Sequence, residues 1–83
     1  MKILYFAWLR QKTGIDSEDV VVPEGVSDVA GLIEWLMERN EKFADALSDF
    51  ESIRVAVNQE FAEFDAPVGQ GDEIAIFPPM TGG

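Results

Sequence analysis

The sequence contains neither cysteine nor histidine among its 83 residues. Without thiols and imidazoles, Ser-His and Cys-His catalysis, disulfides and metal sites built on Cys or His are all excluded. The chemically distinctive residues lie at 78–83, where Pro78-Pro79 is followed by Met80, Thr81 and Gly82-Gly83. We expect Gly83 to carry a free α-carboxyl group, whose ordinary pKa of about 3.5 leaves it ionised at neutral pH.

Segment 78–83 has the composition of a tail that enters another protein. Two adjacent prolines cannot continue a sheet and hold the backbone extended. Glycine has no Cβ, so Gly82-Gly83 can pass through a channel too narrow for other residues. Six extended residues span about 20 Å. We therefore predict a globular body at 1–77 and an extended tail at 78–83 that delivers its end group to a partner.

A carboxylate at Gly83 is a poor electrophile and must first be activated, most simply as an acyl-adenylate. Attack on that adenylate by sulfide or a persulfide would produce a thiocarboxylate, a much softer nucleophile. Because the chain has no cysteine, any sulfur that it carries must be attached to the backbone terminus. The alternative at this stage is an interaction domain whose tail has no chemical role.

Hydrophobic periodicity predicts the elements that position this tail. The apolar run Ile3–Leu9 predicts a strand covered on both faces. Ser27 is the expected N-cap of one main helix at 28–39. The apolar stripe of that helix comprises Val29, Leu32, Ile33, Leu36 and Met37. A short helical turn should add Phe43 and Leu47 to the same core, and further strands are predicted at 19–22, 53–57, 61–64 and 73–77.

The predicted order is two strands, a long helix, a short helix and three strands. Early and late strands around one helix indicate an α+β fold with a mixed sheet packed on that helix, and the order suits a β-grasp, the ubiquitin-like roll. In that fold the first and last strands are parallel neighbours at the centre of the sheet. Both are almost entirely apolar here, as buried parallel strands are.

The chain is strongly acidic, with a net charge of −10. No Lys or Arg occurs from Val55 to Gly83, whereas five carboxylates lie there: Glu60, Glu63, Asp65, Asp72 and Glu73. This balance argues against a nucleic acid or an anionic membrane as the partner and favours either a solvated surface or a basic protein. No pattern of a signal peptide or membrane span is visible, so a cytoplasmic protein is expected.

The C-terminal stretch resembles the signature of a known family. The run 74–83, Ile-Ala-Ile-Phe-Pro-Pro-Met-Thr-Gly-Gly after Gly71-Asp72-Glu73, is similar to the end of molybdopterin synthase small subunits. Two further stretches are similar to that family. They are Tyr5-Phe6-Ala7 with Arg10, and Val57-Asn58-Gln59 with Phe64-Asp65 before Pro67.

The resemblance implies a function and a set of partners. A ubiquitin-activating-enzyme-like adenylyltransferase, using ATP and magnesium, would adenylate Gly83, and a sulfurtransferase would convert it to the thiocarboxylate. The tail would then enter the large synthase subunit, in an expected heterotetramer, and donate sulfur to cyclic pyranopterin monophosphate. The catalytic side chains would belong to the large subunit, and this chain itself would bind no cofactor and no metal.

The resemblance also implies a docking surface on the solvent face of the sheet, at Phe6, Phe61 and Phe77 with Arg10 at the edge. Strand parity agrees, since Phe6 and Phe77 alternate with apolar residues assigned to the core. Two related functions remain open. One is a ubiquitin-like modifier that joins Gly83 to lysines, and the other is the sulfur carrier of thiamine synthesis.

Overall fold

The computed structural model describes residues 1–79. Its strands are β1 Lys2–Tyr5, β2 Ser17–Asp19, β3 Arg54–Val57, β4 Glu60–Ala62 and β5 Glu73–Phe77. Its helices are α1 Trp8–Thr13, α2 Val29–Arg39 and α3 Glu41–Leu47, with a 3-10 turn at Phe50–Ser52.

The five strands form one sheet in the order β2-β1-β5-β3-β4. The first and last strands, β1 and β5, are parallel neighbours with Ile3 opposite Ile74, while the other three pairings are antiparallel. The prediction of an α+β fold with a mixed sheet on one main helix is therefore confirmed, and the topology is that of a β-grasp.

Helix α2 supplies most of the core, as its periodicity predicts. Val29, Leu32, Ile33 and Leu36 are fully buried, and the short helix α3 adds Phe43 and Leu47. The N-cap prediction is wrong by one residue. The cap of α2 is Asp28 rather than Ser27, because the Asp28 carboxylate accepts a 2.8 Å hydrogen bond from the Gly31 N–H.

The predicted strand at Ile3–Leu9 is wrong in its second half, and the part that forms is not covered on both faces. Ile3 and Tyr5 are buried on one face, whereas Leu4 on the other face is only half-buried. The strand ends at Tyr5, and Trp8 and Leu9 begin helix α1. A short apolar run does not by itself separate a buried strand from a buried helix start. Leu9 is completely buried from the helix, so the apolar side chain satisfies the core in either conformation.

The turn between β1 and α1 contains a strained residue. Ala7 has φ 56° and ψ −134°, and the Leu9 N–H donates to the Phe6 carbonyl across the turn at 3.2 Å. This is the geometry of the second position of a type II′ turn, where glycine is preferred because a Cβ is unfavourable at positive φ. Contacts on both sides of the turn offset this strain. Before the turn the Phe6 N–H donates to the Ile76 carbonyl, and after it the Leu9 side chain is buried in the core.

We expect Ala7→Gly to stabilise the protein by about 1 kcal/mol. Relief of strain should outweigh the greater freedom that glycine gives the unfolded chain. Thermal unfolding should show a melting temperature higher by about 4–8 °C. The same exchange inside α3, Ala44→Gly, is the control and should lower stability by about 0.5–1 kcal/mol. A loss of stability in both variants would show that the backbone at Ala7 is not strained.

Two other strands are shifted from their predicted positions. β2 lies at Ser17–Asp19 instead of 19–22, because these three residues are the ones that lie opposite Leu4, Ile3 and Lys2 of β1. β4 ends at Ala62 instead of 64. Beyond it the chain turns toward α2, where the Phe64 carbonyl accepts from the Ala30 N–H at 2.8 Å.

A polar cluster ties β1 and β2 to the end of α2. The Tyr5 hydroxyl donates to Glu18 at 2.9 Å, and Arg39 pairs with the same carboxylate at 3.1 Å. Arg39 also lies over the ring of Trp35, with its guanidinium carbon 5.0 Å from the ring centroid. Burial, and then the hydrogen bond to Glu18, raise the pKa of the Tyr5 hydroxyl above its ordinary range, so this phenol stays protonated. Within residues 1–79 the helices are all too short or too polar to cross a membrane.

Candidate functional site

The face of the sheet that points away from the helices is the candidate docking surface. Cross-strand register places four apolar residues in one row across β1, β5, β3 and β4: Leu4, Ala75, Ala56 and Phe61. The alternate residues Ile3, Tyr5, Val55, Ile74 and Ile76 are buried on the opposite face. Ala75 and Ala56, at the centre of the row, have short side chains. The larger side chains at the ends of the row therefore project further from the sheet.

Three phenylalanines form the margins of this surface. Phe61 is 83% exposed and Phe6 is 44% exposed, while Phe77 is half-buried. The rings of Phe61 and Phe77 meet with centroids 5.8 Å apart, tilted by 55°. The structure therefore places all three outside the hydrophobic core, on the side that strand parity indicates. Exposed aromatic side chains of this kind commonly mark an interaction surface.

Arg10, the fourth predicted docking residue, lies on α1 just beyond the strained turn. Its side chain is exposed and makes no hydrogen bond or ion pair with any other residue that the structure describes. Its backbone N–H donates to the Ala7 carbonyl at 3.1 Å. The geometry brings Phe61 and Phe77 together, whereas Arg10 is positioned separately by the helix.

The tail leaves the sheet directly beside this aromatic pair. β5 ends at Phe77, and Pro78 and Pro79 follow it without regular secondary structure and half-buried. A cavity of about 570 Å³ lies between the aromatic rings and the tail base, lined in part by Arg54, Phe61, Glu63, Phe77 and Pro79. The candidate docking surface is thus continuous through β5 with Pro78 and Pro79.

The rest of the predicted tail lies outside the described residues. Met80, Thr81, Gly82 and Gly83 belong to that part of the chain. Their roles in tail insertion and sulfur transfer stay predictions, as does the division into a body at 1–77 and a tail at 78–83.

Arg54 is a residue of this surface that the sequence reasoning missed. It lies opposite Phe77 in the β3–β5 ladder, which places both side chains on the same face. From the sequence alone, position 54 is only the polar residue between two apolar core residues. A signal was present nevertheless, because Arg54 is the last cationic residue before the cation-free stretch that runs from Val55 to Gly83.

The polar end of the surface is organised by Asn58, in the turn between β3 and β4. Asn58 has φ 52° and Gln59 has φ 72°, the left-handed pair of a type I′ hairpin turn. The Asn58 amide nitrogen donates to the Asp72 carboxylate at 3.0 Å, and its amide oxygen accepts from the Glu73 N–H at 3.0 Å. One side chain therefore links the β3–β4 turn to the start of β5, the strand that leads into the tail.

Asp72 should contribute pH-dependent stability through this link. The hydrogen bond from Asn58, and then that from the Gly69 N–H, hold the pKa of the Asp72 carboxyl below its ordinary 3.8. Because the folded pKa is lowered, the contribution is complete above about pH 4 and is lost as the pH falls through the folded value.

We expect Asn58→Gly, which keeps the positive φ but removes the amide, to raise the pKa of Asp72 toward 3.8. Carbon-detected NMR titration of the Asp72 carboxyl measures this directly. Denaturation at pH 6 and pH 3 should also show that the variant loses less stability on acidification than the parent protein. An unchanged Asp72 titration would contradict the assignment of the shift to Asn58.

Comparison with known proteins gives a consistent result along the whole chain. The model of the ThiS family matches residues 3–83. The molybdopterin synthase sulfur carrier subunit of Escherichia coli is 37% identical over 83 residues, which cover 100% of this chain and 99% of that protein.

Two solved structures share the fold. A putative molybdopterin converting factor subunit 1 from Pyrococcus furiosus is 34% identical, with a TM-score of 0.75 and 95% of each chain covered. The small archaeal modifier protein 1 of Haloferax volcanii is 26% identical, with a TM-score of 0.79 and coverage of 96% of this chain and 97% of that one. With a family match over nearly its full length and a relative at 37% identity, this chain belongs to the ThiS family of β-grasp proteins, among the relatives of molybdopterin synthase sulfur carrier subunits.

Proposed function

We propose that this chain is the sulfur carrier subunit of a molybdopterin synthase, in which the thiocarboxylate of Gly83 donates sulfur to cyclic pyranopterin monophosphate. The observation that carries the proposal is the similarity over the full chain to proteins of that name. It is supported by an aromatic surface that continues through β5 into Pro78 and Pro79, as a carrier that docks while its tail is inserted would require.

Activation would take place in two balanced steps. The Gly83 carboxylate attacks the α-phosphorus of ATP on an adenylyltransferase, and pyrophosphate leaves. A sulfur nucleophile supplied by a sulfurtransferase then attacks the acyl carbon, and AMP leaves. With sulfide this yields the thiocarboxylate directly, whereas a persulfide donor also needs a thiol to break its S–S bond. ATP and magnesium serve the activating partner, and this chain contributes the carboxyl group.

Sulfur transfer would then occur on the large synthase subunit. Segment 78–83 inserts into that subunit, whose side chains perform the acid–base chemistry. The thiocarboxylate sulfur forms a bond to a carbon of the pterin precursor while an oxygen substituent leaves that carbon, so the sulfur then joins the precursor to the acyl carbon of Gly83. Water returns the acyl carbon to a carboxylate, so the carrier can be recharged. Each charged carrier delivers one sulfur, and two rounds complete one dithiolene. The role of this chain in the enzyme is therefore to supply the reacting atom and the docking surface, and we expect it to act in the cytoplasm.

Mass spectrometry of the intact chain tests the proposal. After incubation with its adenylyltransferase, ATP, magnesium and a sulfur source, the chain should gain about 16 Da, the difference between sulfur and oxygen. The charged chain, mixed with the large subunit and precursor, should lose that mass as molybdopterin forms. Omission of ATP is the control. A chain that never gains the mass with all components present would refute the sulfur-carrier function.

The alternative function, a ubiquitin-like modifier, has one observation in its support, the similarity to the small archaeal modifier protein of H. volcanii, whereas the relatives with sequence identity of 34–37% carry the sulfur-carrier name. A modifier would join the Gly83 carboxyl to lysine side chains by isopeptide bonds. Purification of the tagged chain from its native host distinguishes the two functions. Co-elution of a large synthase subunit supports the carrier, and lysine-linked conjugates that persist in denaturant support the modifier.

A further inference from the structure

Arg54 introduces a positive charge into the otherwise aromatic part of the docking surface. It faces Phe77 across the β3–β5 ladder, and it lines the same cavity as Phe61 and Pro79. Residues directly opposite each other in a ladder share a face of the sheet. The guanidinium therefore lies at the base of the tail, where any protein that takes the tail must make contact.

The Arg54 side chain is oriented by its own backbone neighbours. Its Nη1 donates to the Glu51 carbonyl at 3.1 Å and to the Ile53 carbonyl at 2.8 Å. These two bonds use both hydrogens of Nη1 and leave the edge formed by Nε and Nη2, which is the edge that binds a carboxylate with two parallel hydrogen bonds. Orientation before binding also reduces the entropy that the side chain loses on association.

Arg54 has no carboxylate partner within the part of the chain that the structure describes. The ion pairs found among residues 1–79 are Lys12 with Asp45 and Arg39 with Glu18. Glu63 lines the same cavity but forms no ion pair with Arg54. In a chain with sixteen acidic residues and six basic ones, an oriented guanidinium on an apolar surface without a partner indicates that its partner belongs to another molecule.

We propose that Arg54 is a specificity residue that pairs with an Asp or Glu side chain on the large synthase subunit, and this inference rests on the proposed function. Covering Phe61 and Phe77 would also cover Arg54, and a buried charge without a partner is strongly unfavourable. The need for a carboxylate partner is greatest in a persistent complex with the large subunit, because a transient complex can leave the guanidinium of Arg54 hydrated. We therefore expect the large subunit to carry basic residues opposite the carboxylates of this chain and one carboxylate opposite Arg54, beside the channel that takes the tail. This pattern of charges would allow the two subunits to dock in one orientation only.

The test compares Arg54→Gln and Arg54→Lys with the matched control Lys42→Gln. Lys42 is an exposed lysine on α3 that forms no ion pair with any other residue in 1–79. Calorimetric titration against the large subunit of the same organism gives the dissociation constant, and thermal unfolding gives stability. We expect Arg54→Gln to weaken binding about 30-fold. Arg54→Lys should lie between Gln and wild type, because lysine keeps the charge but loses the fork. Lys42→Gln should bind as wild type.

The outcomes separate this inference from the function on which it rests. If wild type does not bind the large subunit, the proposed function fails. If wild type binds and Arg54→Gln binds equally well, the inference is overturned. A lower melting temperature with unchanged affinity would show that Arg54 only stabilises the backbone of this chain. Weakened binding to the adenylyltransferase alone would also overturn it. Finally, Arg54→Glu should be rescued by one Asp→Arg or Glu→Arg variant of the large subunit. Failure of every such variant would overturn the assignment of a carboxylate.

Discussion

Deletion of Gly83 should essentially abolish sulfur transfer while leaving the folded body unchanged. The new terminal carboxylate, on Gly82, would fall about 3.5 Å short of a site built for the full length. Misplacement by even about 1 Å can cost a hundredfold in rate, so we expect a loss of at least that size. The measurement is the gain of about 16 Da in the activation reaction, followed by molybdopterin formation with the large subunit.

The Gly82→Ala variant is the matched control for this deletion. It preserves tail length and the Gly83 carboxyl group, but it adds a Cβ that narrows the fit in the channel and disfavours positive φ. We expect transfer to be slowed rather than abolished. Both variants should melt at the wild-type temperature, because the buried core residues of the described part, from Ile3 to Ile76, all lie before the tail. A deletion variant that gains the sulfur mass as readily as wild type would show that Gly83 is not the reacting residue.

Phe77→Ala should weaken binding to the large subunit by about 2 kcal/mol or more, or at least about 30-fold in the dissociation constant. The ring of Phe77 lies beside that of Phe61, at the point where β5 becomes the tail. It is half-buried before any partner binds, so it is oriented in advance and can be covered completely on docking. Aromatic side chains with these properties are typical of the residues that dominate binding energy.

Val21→Ala is the control for Phe77→Ala. Val21 is 85% exposed. It follows Val20, which pairs with Met1 at the N-terminal end of β1, whereas Phe6 follows the C-terminal end of that strand. Calorimetric titration should show unchanged affinity for this variant. Phe77 also contacts neighbours in the folded chain, so its variant should melt at a somewhat lower temperature. A lowered melting temperature with unchanged affinity would show that Phe77 serves the fold and not the partner.

Sequence patterns determined the parts of this protein whose periodicity is unambiguous. The apolar stripe of α2 predicted its four fully buried residues, and the strand at Glu73–Phe77 was predicted with its observed bounds. At the β3–β4 turn, asparagine favours the left-handed conformation that Asn58 adopts, whereas Gln59 adopts it without such a preference. Chemistry was restricted in the same way, since a chain without cysteine and histidine has few groups that could carry sulfur.

Tertiary structure decided what short or uniform patterns leave open. The apolar run at Ile3–Leu9 divides into strand and helix only because Leu9 can reach the core from a helix that begins after the turn at Ala7. The length of β2 is set by the three residues of β1 with which it pairs, and the local sequence of β2 does not encode that pairing. The same holds for the site. The register of the β3–β5 ladder places Arg54 beside Phe77 at the base of the tail. These two residues are more than twenty positions apart in the sequence, so no local sequence pattern predicts that they are neighbours.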